Sequence, residues 1–319
     1  MPERGRPTED GEDAAEARAD TLRDRVANAQ PGDVIEIADG EYEFRPRLIA
    51  SADGTADAPI TLRGSPNAII RSKDTGGDYG LSITGDYWRI EGLTVAHASK
   101  GIVLDGSVGT VIDGVEVFDI GAEGVHFRSC SSDGVLRNSY IHDTGIDKPN
   151  FGEGVYVGSA NSNWDKYSCD DAMDTGPGDN SERVLIEGNT FRHVSAEGAD
   201  LKEGTDSGTV RENVFDDVGY SGANSADSAV DAKGNGWLIA GNTVKGGTGE
   251  FLDAFQTHSV VDGYGTGNVF TGNVVEDDVP GFAFGLYPML DNVVRCDNVA
   301  PTAARGLVGD GDTPVDCAD

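Results

Sequence analysis

Short strand-like runs recur along the chain, each built around the same kind of tight bend. Apolar residues alternate with polar ones on both sides of the bend, which is typical of half-buried strands, and glycine or asparagine in the bend favours a sharp turn. Successive copies are separated by 22, 24, 50, 24, 29 and 31 residues, so each copy marks one repeat and the step of 50 contains an insertion. The copies are EGLTV from Glu91, DGVEV from Asp113, RNSYI from Arg137, EGNTF from Glu187, RENVF from Arg211, AGNTV from Ala240 and TGNVV from Thr271.

Each repeat contains a second alternating run, such as GIVLD from Gly101. One repeat cannot bury its apolar residues alone, whereas stacked repeats place equivalent strands about 4.8 Å apart and bury them between coils. The pattern therefore predicts an all-β fold, a single-stranded parallel β-helix or solenoid. The residues predicted to point inward are Ile102, Leu104, Val125, Phe127, Val155, Val157, Ala199, Leu201, Val230 and Ala232.

The ends and one insertion stand apart from the repeats. Residues 1–19 are acidic and contain proline, which predicts a disordered segment before a β-helix domain over residues 20–319. A helix is predicted over Ala14–Ala29, because Leu22 and Val26 are spaced to cover the open first coil. The polar loop 159–183 is too long for a plain turn, so we expect it to overhang a binding face.

Fixing the inward residues also fixes the outward columns. The motif Asp-x-Lys occurs in two successive coils 31 residues apart, and two of the seven lysines in the chain thereby fall in one column. The first column is predicted to contain Val103, His126, Tyr156, Asp200, Asp231, Gln256 and Ala283. The column two residues further on contains Asp105, Arg128, Gly158, Lys202, Lys233, His258 and Gly285. Three residues before the first column stand Glu123, Glu153, Glu197, Ser228 and Asp253.

Equal charges in neighbouring coils repel unless another group compensates them. A divalent cation would relieve the repulsion between Asp200 and Asp231. Repulsion between Lys202 and Lys233, together with a nearby cation, would lower a lysine pKa toward that of a working base. The alternative is that both motifs form exposed ion pairs of little consequence. Two motifs in register beside three stacked glutamates favour a functional site.

Composition and charge exclude some classes of protein. With 56 acidic and 24 basic residues the net charge is −32, which excludes ordinary binding to a phosphate backbone. No apolar run approaches the roughly 18 residues of a membrane span. The acidic residues are scattered, which favours adaptation to high salt over a role for the excess in binding cations. The 45 glycines are about twice the average share of roughly 7% and agree with many turns.

Four cysteines allow two disulfides in three possible pairings. We expect Cys296 to pair with Cys317, since they flank the C-terminal tail, which leaves Cys130 and Cys169 to join two loops. Four free thiols are the alternative. Oxidised cysteines would place the protein outside the cell, although no signal peptide is visible in the chain.

The opening PGDVIEIADGEYEF from Pro31 and the later LSITGDYWRIEGLTV from Leu81 resemble secreted right-handed parallel β-helix proteins of the pectate-lyase-like superfamily. The middle coils are similar to the alginate lyase and chondroitinase B family of polysaccharide lyases. The family's Asn-x-x-Glu run corresponds to Asn150 and Glu153, and its calcium-ligating Glu five residues before a catalytic Lys corresponds to Glu197 and Lys202. Lys233 stands where the family has a catalytic Arg, and Ser195 where it has a second Glu.

The resemblance implies a polysaccharide lyase that cleaves a uronic-acid polymer by calcium-assisted β-elimination. Lys202 is the predicted base and Lys233 its assistant. The predicted metal ligands are Asn150, Glu153, Glu197, Asp200 and Asp231, and the predicted substrate-binding residues are Arg128, His126, Tyr156, His258 and Gln256. A glycoside hydrolase, a C5-epimerase and a non-catalytic carbohydrate-binding or surface solenoid remain alternatives. We expect a monomer with an anionic polysaccharide as its partner.

Overall fold

The computed structural model describes residues 9–169 and 178–319, and thirty short strands wind through this part of the chain into about ten coils. Strands are numbered in chain order, and all pairs between coils are parallel. The first sheet contains β1 (Val34–Glu36), β4 (Ile60–Arg63), β7 (Trp88–Glu91), β10 (Val111–Asp113), β13 (Val135–Arg137), β16 (Leu185–Glu187), β19 (Thr209–Arg211), β22 (Leu238–Ala240), β25 (Val269–Thr271) and β28 (Val293–Val294). The second contains β2 (Gly40–Glu43), β5 (Ala68–Arg71), β8 (Thr94–Ala98), β11 (Glu116–Ile120), β14 (Tyr140–Thr144), β17 (Thr190–Val194), β20 (Val214–Val218), β23 (Thr243–Val244) and β26 (Val274–Val275). The third contains β3 (Leu48–Ala50), β6 (Leu81–Ile83), β9 (Ile102–Asp105), β12 (Val125–Arg128), β15 (Val155–Val157), β18 (Ala199–Leu201), β21 (Ser228–Ala232), β24 (Asp253–His258), β27 (Phe282–Tyr287), β29 (Gly306–Asp310) and the antiparallel β30 (Thr313–Val315).

The predicted bend joins the first sheet to the second. Its second position has a left-handed backbone, with φ between 53° and 71°, in all seven copies: Gly92, Gly114, Asn138, Gly188, Glu212, Gly241 and Gly272. Its third position is a buried asparagine in four successive copies, and each side chain bonds to the next. For example, the Asn213 backbone N–H and side-chain amide both donate to Oδ1 of Asn242, at 3.1 and 3.0 Å. This ladder satisfies polar groups inside the solenoid.

The core lies between the three sheets and confirms the predicted inward residues. All ten are fully buried. Aromatic rings stack from coil to coil, as Phe255 does on Phe284 with centroids 4.9 Å apart. This stacking sets the register of the last coils, so that Gln256 pairs with Gly285 and His258 with Tyr287. The predicted columns were therefore wrong by two residues at β27.

Both ends of the solenoid are covered. Helix α1 (Glu9–Ala27) buries Leu22 and Val26 against the first coil, as predicted. It begins inside the segment 1–19 that was predicted to be disordered, so that prediction is wrong from Glu9 onward, and residues 1–8 lie outside the described residues. At the other end β29 and β30 form a hairpin. The disulfides Cys130–Cys169 and Cys296–Cys317 are the predicted pairs.

The insertion after β15 folds back over the third sheet. It contains the 3₁₀ turn Asn161–Asn163 and the short helix α2 (Trp164–Tyr167), and residues 170–177 of the predicted loop lie outside the described residues. Asp179 fixes its far end, accepting hydrogen bonds from the backbone N–H groups of Ser129 and Cys130 at 2.8 and 2.9 Å. None of the helices in the described part of the chain is long and apolar enough to cross a membrane.

Candidate active site

The outward residues of the third sheet form the floor of a cleft of about 700 Å³. The floor crosses β12, β15, β18, β21 and β24, so each coil contributes its own side chains. One wall contains the 3₁₀ turns Pro149–Phe151 and Ala223–Ser225, and the other contains residues 160–163 and Tyr167. The predicted overhang of the inserted loop is therefore confirmed for its described part.

The two Asp-x-Lys motifs meet as predicted. Asp200 and Asp231 are directly opposite in the parallel ladder, and Lys202 and Lys233 follow their strands by one residue. Lys202 Nζ lies 2.9 Å from Asp200 Oδ2. Lys233 Nζ lies 2.7 Å from Asp200 Oδ1 and 2.7 Å from Asp231 Oδ2. One carboxylate thus binds both ammonium groups.

These ion pairs reverse the predicted direction of the lysine pKa values. Burial lowers the pKa of Lys202, but the charge and hydrogen bond of Asp200 outweigh burial and raise it above its usual value. Burial and the repulsion of Lys202 lower the pKa of Lys233, but the charges of Asp200 and Asp231 outweigh both and raise it above its usual value. The expectation of a lysine pKa lowered by mutual repulsion is wrong for the protein alone, because Asp200 stabilises the charged form of both lysines and Asp231 adds to this at Lys233.

Three buried acids lie together beside the lysines. Carboxylate oxygens of Glu153, Glu197 and Asp200 are within 4.8 Å of one another. Burial, followed by the charge of Asp200, raises the pKa of Glu197 to about 8, and burial with the charges of Glu123 and Glu197 raises the pKa of Glu153 well above its usual value. Among the described residues none hydrogen-bonds to Glu153 Oε2. Such a set of oxygen donors fits a hard divalent cation.

The other two predicted ligands, Asn150 and Asp231, line the same cleft, but Asp231 pairs with cationic groups. Both oxygens of Asp231 lie 3.0 Å from His258 Nδ1, and one also binds Lys233. Burial raises the pKa of Asp231, but Lys233 and His258 outweigh burial and hold it below its usual range. The structure thus places Asp231 with two cationic groups and outside the three-acid group.

The pKa values of the two predicted histidines are shifted in opposite directions. His126 Nε2 lies 2.9 Å from the Gly158 carbonyl, and burial lowers the His126 pKa well below its usual value, so the ring is neutral and offers no charge to an acidic sugar. His258 stacks on Tyr287 with centroids 5.1 Å apart. Burial lowers its pKa, but the charge and hydrogen bond of Asp231 outweigh burial and raise it, which favours the charged form expected of an anion-binding group.

Tyr156 lies in the centre of the floor. Its ring meets His126 edge-on with centroids 4.5 Å apart, and the Lys202 ammonium lies 5.3 Å from the ring centroid. Burial and the charges of Asp200 and Glu153 raise the pKa of Tyr156 well above its usual value. The hydroxyl therefore keeps its proton.

Arg128 and Gln256 were predicted to bind substrate, but both side chains bind other groups of the protein. Arg128 lines the cleft, yet its guanidinium makes two hydrogen bonds to Asp105 and a third, of 3.2 Å, to the Tyr167 hydroxyl. Its charge is thereby partly compensated. Gln256 is buried and donates to Asp227 and Asp253 at 3.0 and 3.1 Å instead of lining the cleft. A substrate contact by Gln256 was therefore a wrong prediction.

The sequence analysis did not assign Lys100 to the cleft, although the repeats predict its position there. Lys100 precedes Gly101 just as Glu123 precedes Gly124 one coil later, and the two charges meet at 2.6 Å in the cleft. The remaining lining residues, including Phe151 and Asn224, come from irregular insertions. Their position follows from contacts between loops that no repeat predicts.

Comparison with known proteins places the chain in a family. Residues 79–275 match the family model described as the right handed beta helix region. The chain belongs to this right-handed β-helix family, which confirms the predicted handedness. Among curated protein sequences none matches the chain.

One solved structure is similar to the chain over almost its whole length. The crystal structure of an alginate lyase from Paenibacillus sp. strain FPU-7 is 39% identical, with a TM-score of 0.83 over 93% of this chain and 97% of that chain. Pectate lyase Pel9A is 14% identical with a TM-score of 0.63 over 92% and 72% of the respective chains. The Streptococcus pneumoniae surface protein and adhesin PfbA is 12% identical with a TM-score of 0.56 over 95% and 79%. The last two share the fold alone.

Proposed function

We propose that the protein is a polysaccharide lyase that cleaves a 1,4-linked polyuronate of the alginate type by β-elimination. The observation that carries the proposal is the meeting of Lys202 and Lys233 on one carboxylate beside three buried acids, in a chain 39% identical to an alginate lyase. A cleft that crosses five strands can accommodate several units of a polysaccharide chain. Two disulfides and a polymeric substrate support an extracellular protein.

A calcium ion fits the three-acid group, because Glu153 Oε2 accepts no hydrogen bond from the described residues and all the donors are hard oxygens. Asn150, Glu153, Glu197 and Asp200 would hold it. When bound, it supplies positive charge that stabilises the enolate of the substrate's carboxylate.

The chain's own residues then account for proton transfer. Burial lowers the Lys202 pKa, and the ion pair with Asp200 raises it. If that ion pair is broken, the effect of burial remains, the pKa falls, and Lys202 can act as the base. Lys202 removes the C5 proton, the electron pair forms the C4–C5 double bond, and the bond from C4 to the linking oxygen breaks. The leaving oxygen takes a proton from Tyr156 or Lys233, both of which hold one in the cleft.

Lys202→Ala tests this assignment. We expect kcat on alginate to fall by about 10²- to 10⁴-fold, the usual contribution of a positioned base, when unsaturated ends are followed by ultraviolet absorbance. Lys245→Ala, outside the cleft, is the matched control. Tyr156→Phe distinguishes the two proton donors, because it abolishes activity only if the phenol supplies the proton. Full activity of Lys202→Ala would refute the assigned base.

A glycoside hydrolase is the second candidate, favoured by one observation. The pKa of Glu197 is raised to about 8 and that of Asp231 is lowered, and a pair of carboxyl groups separated in this way can act as acid and base. New reducing ends without unsaturated ends would identify this reaction. Epimerised uronates without chain cleavage would identify the C5-epimerase.

A further inference from the structure

An exposed phenyl ring stands in the wall of the cleft, next to one of the proposed metal ligands. Phe151 lines the cleft with 45% of its surface exposed. It follows Asn150 and precedes Glu153 by two residues, so it adjoins the proposed reaction centre. Burying such a side chain is favourable, and a cleft that leaves it exposed presents apolar surface to a ligand.

The turn that carries Phe151 is held from several sides. The Pro149 carbonyl accepts hydrogen bonds from Ser195 Oγ at 3.0 Å and Ser221 Oγ at 3.1 Å. Gly152 approaches Ser195 so closely that an added Cβ would lie 2.1 Å from its Oγ, and only glycine fits there. The ring is therefore presented by a pre-organised turn, which reduces the entropy cost of binding.

Sugar stereochemistry decides which uronate suits such a ring. The face of a phenyl ring carries negative charge and attracts C–H groups. In β-1,4-linked mannuronate the linkage oxygens are equatorial, and the axial hydrogens of C1, C3 and C5 form one apolar face. In α-1,4-linked guluronate the linkage oxygens are axial and interrupt this surface.

We propose that Phe151 is a platform for the sugar ring beside the reacting uronate and that it selects mannuronate over guluronate. The inference rests on the proposed function for its substrate class. Phe151 acts through binding, and Lys202 and its partners carry out the reaction.

The test compares Phe151→Ala with Ile146→Ala. Ile146 is similarly exposed, at 50%, in the same connection between β14 and β15, but it does not belong to the cleft lining. On mannuronate-rich alginate we expect Phe151→Ala to raise KM about tenfold with little change in kcat, as for loss of one aromatic contact. On guluronate-rich alginate KM should stay unchanged, and Phe151→Trp should keep the wild-type preference. Ile146→Ala should match the wild type on both substrates.

An unchanged KM of Phe151→Ala on mannuronate, or an equal rise on both substrates, overturns the inference. Isothermal titration of oligomannuronate and oligoguluronate into Lys202→Ala, with and without Phe151→Ala, measures the same selectivity without catalysis. If the wild type forms no unsaturated ends from any polyuronate, the proposed reaction fails. The titration still decides whether Phe151 selects the mannuronate ring.

Discussion

Glu197 is buried and lies close to a lysine, so burial and the lysine charge act on its pKa in opposite directions. Lys233 Nζ lies 3.9 Å away and lowers the pKa of Glu197, but burial and the charge of Asp200 outweigh the lysine and raise it to about 8. The protein alone therefore stores a proton where the proposed site needs a carboxylate.

The stored proton makes the effect of calcium depend on pH. Folded Glu197 keeps its proton up to about pH 8, whereas an unperturbed group releases it near 4.5. The free energy of unfolding should thus fall as pH rises from 4.5 through 8. A cation needs the carboxylate, so we expect millimolar calcium to raise Tm more at pH 8 than at about pH 5.

Differential scanning fluorimetry with calcium or a chelator measures both effects. Glu197→Gln is the control, since its amide does not titrate, and it should reduce the calcium-induced shift at pH 8. An identical calcium effect at both pH values would contradict the assignment of Glu197 as a ligand.

At the scale of residues, the sequence predicted the positions of side chains better than their ion pairs and pKa values. The common separation of 31 residues was enough to bring Asp200 opposite Asp231, because strand register follows from the repeat. It was not enough to predict which oxygen meets which ammonium. The shift of the lysine pKa values was therefore predicted in the wrong direction. Gln256 was assigned to the cleft, but its side chain is buried and does not line it.

Among structural elements, the bend between the first two sheets imposes the strictest backbone requirement. Most of its left-handed positions are glycine or asparagine, which adopt this conformation at low cost. Glu212 occupies the same position with φ 57° and an exposed side chain. A side chain with a Cβ is strained there, and within the described part of the chain no side-chain hydrogen bond or ion pair of Glu212 offsets the strain.

Glu212→Gly should therefore raise the free energy of unfolding by up to about 1 kcal/mol, the strain of one left-handed residue less the greater entropy of unfolded glycine. Denaturant titration measures the change. Arg211→Gly, at the neighbouring exposed strand end, should destabilise the protein, because no positive φ is relieved and the ion pair of Arg211 with Glu187 is lost. Equal destabilisation by both substitutions would show that the bend is not strained.

The walls mark the limit of prediction at the scale of elements. Repeats predicted the strands and the floor, since the same pattern returns in each coil. The wall turns at Pro149 and Ser221 lie 72 residues apart in sequence and meet through one hydrogen bond. A contact between two insertions of different length leaves no periodic signal.

Over the whole molecule, the C-terminal end of the solenoid and the cleft are each secured by a different disulfide. Cys296–Cys317 joins the last coil to the C-terminal tail, and Cys130–Cys169 joins the turn after β12 to the loop after α2. In a repeat protein a coil contacts only its neighbours, so a local restraint has a local effect.

Removing the two disulfides separately should consequently give different defects. The Cys296→Ser/Cys317→Ser variant should lose up to about 3 kcal/mol of stability and exchange amide hydrogens faster in β28, β29 and β30, with KM unchanged. The Cys130→Ser/Cys169→Ser variant should raise KM because Tyr167 is no longer held at the cleft. Indistinguishable exchange patterns and KM values in the two variants would refute this division.

The separation of floor from walls has a consequence for how such a protein changes. The ladder that aligns the reactive groups is made of short strands whose spacing cannot vary, while the turn around Phe151 is an excursion between two of them. Swapping that excursion for one from a relative should redirect which monomer is accepted and leave the proton-transfer apparatus in place. New selectivities can arise here by exchange of a few exposed residues, without a new fold.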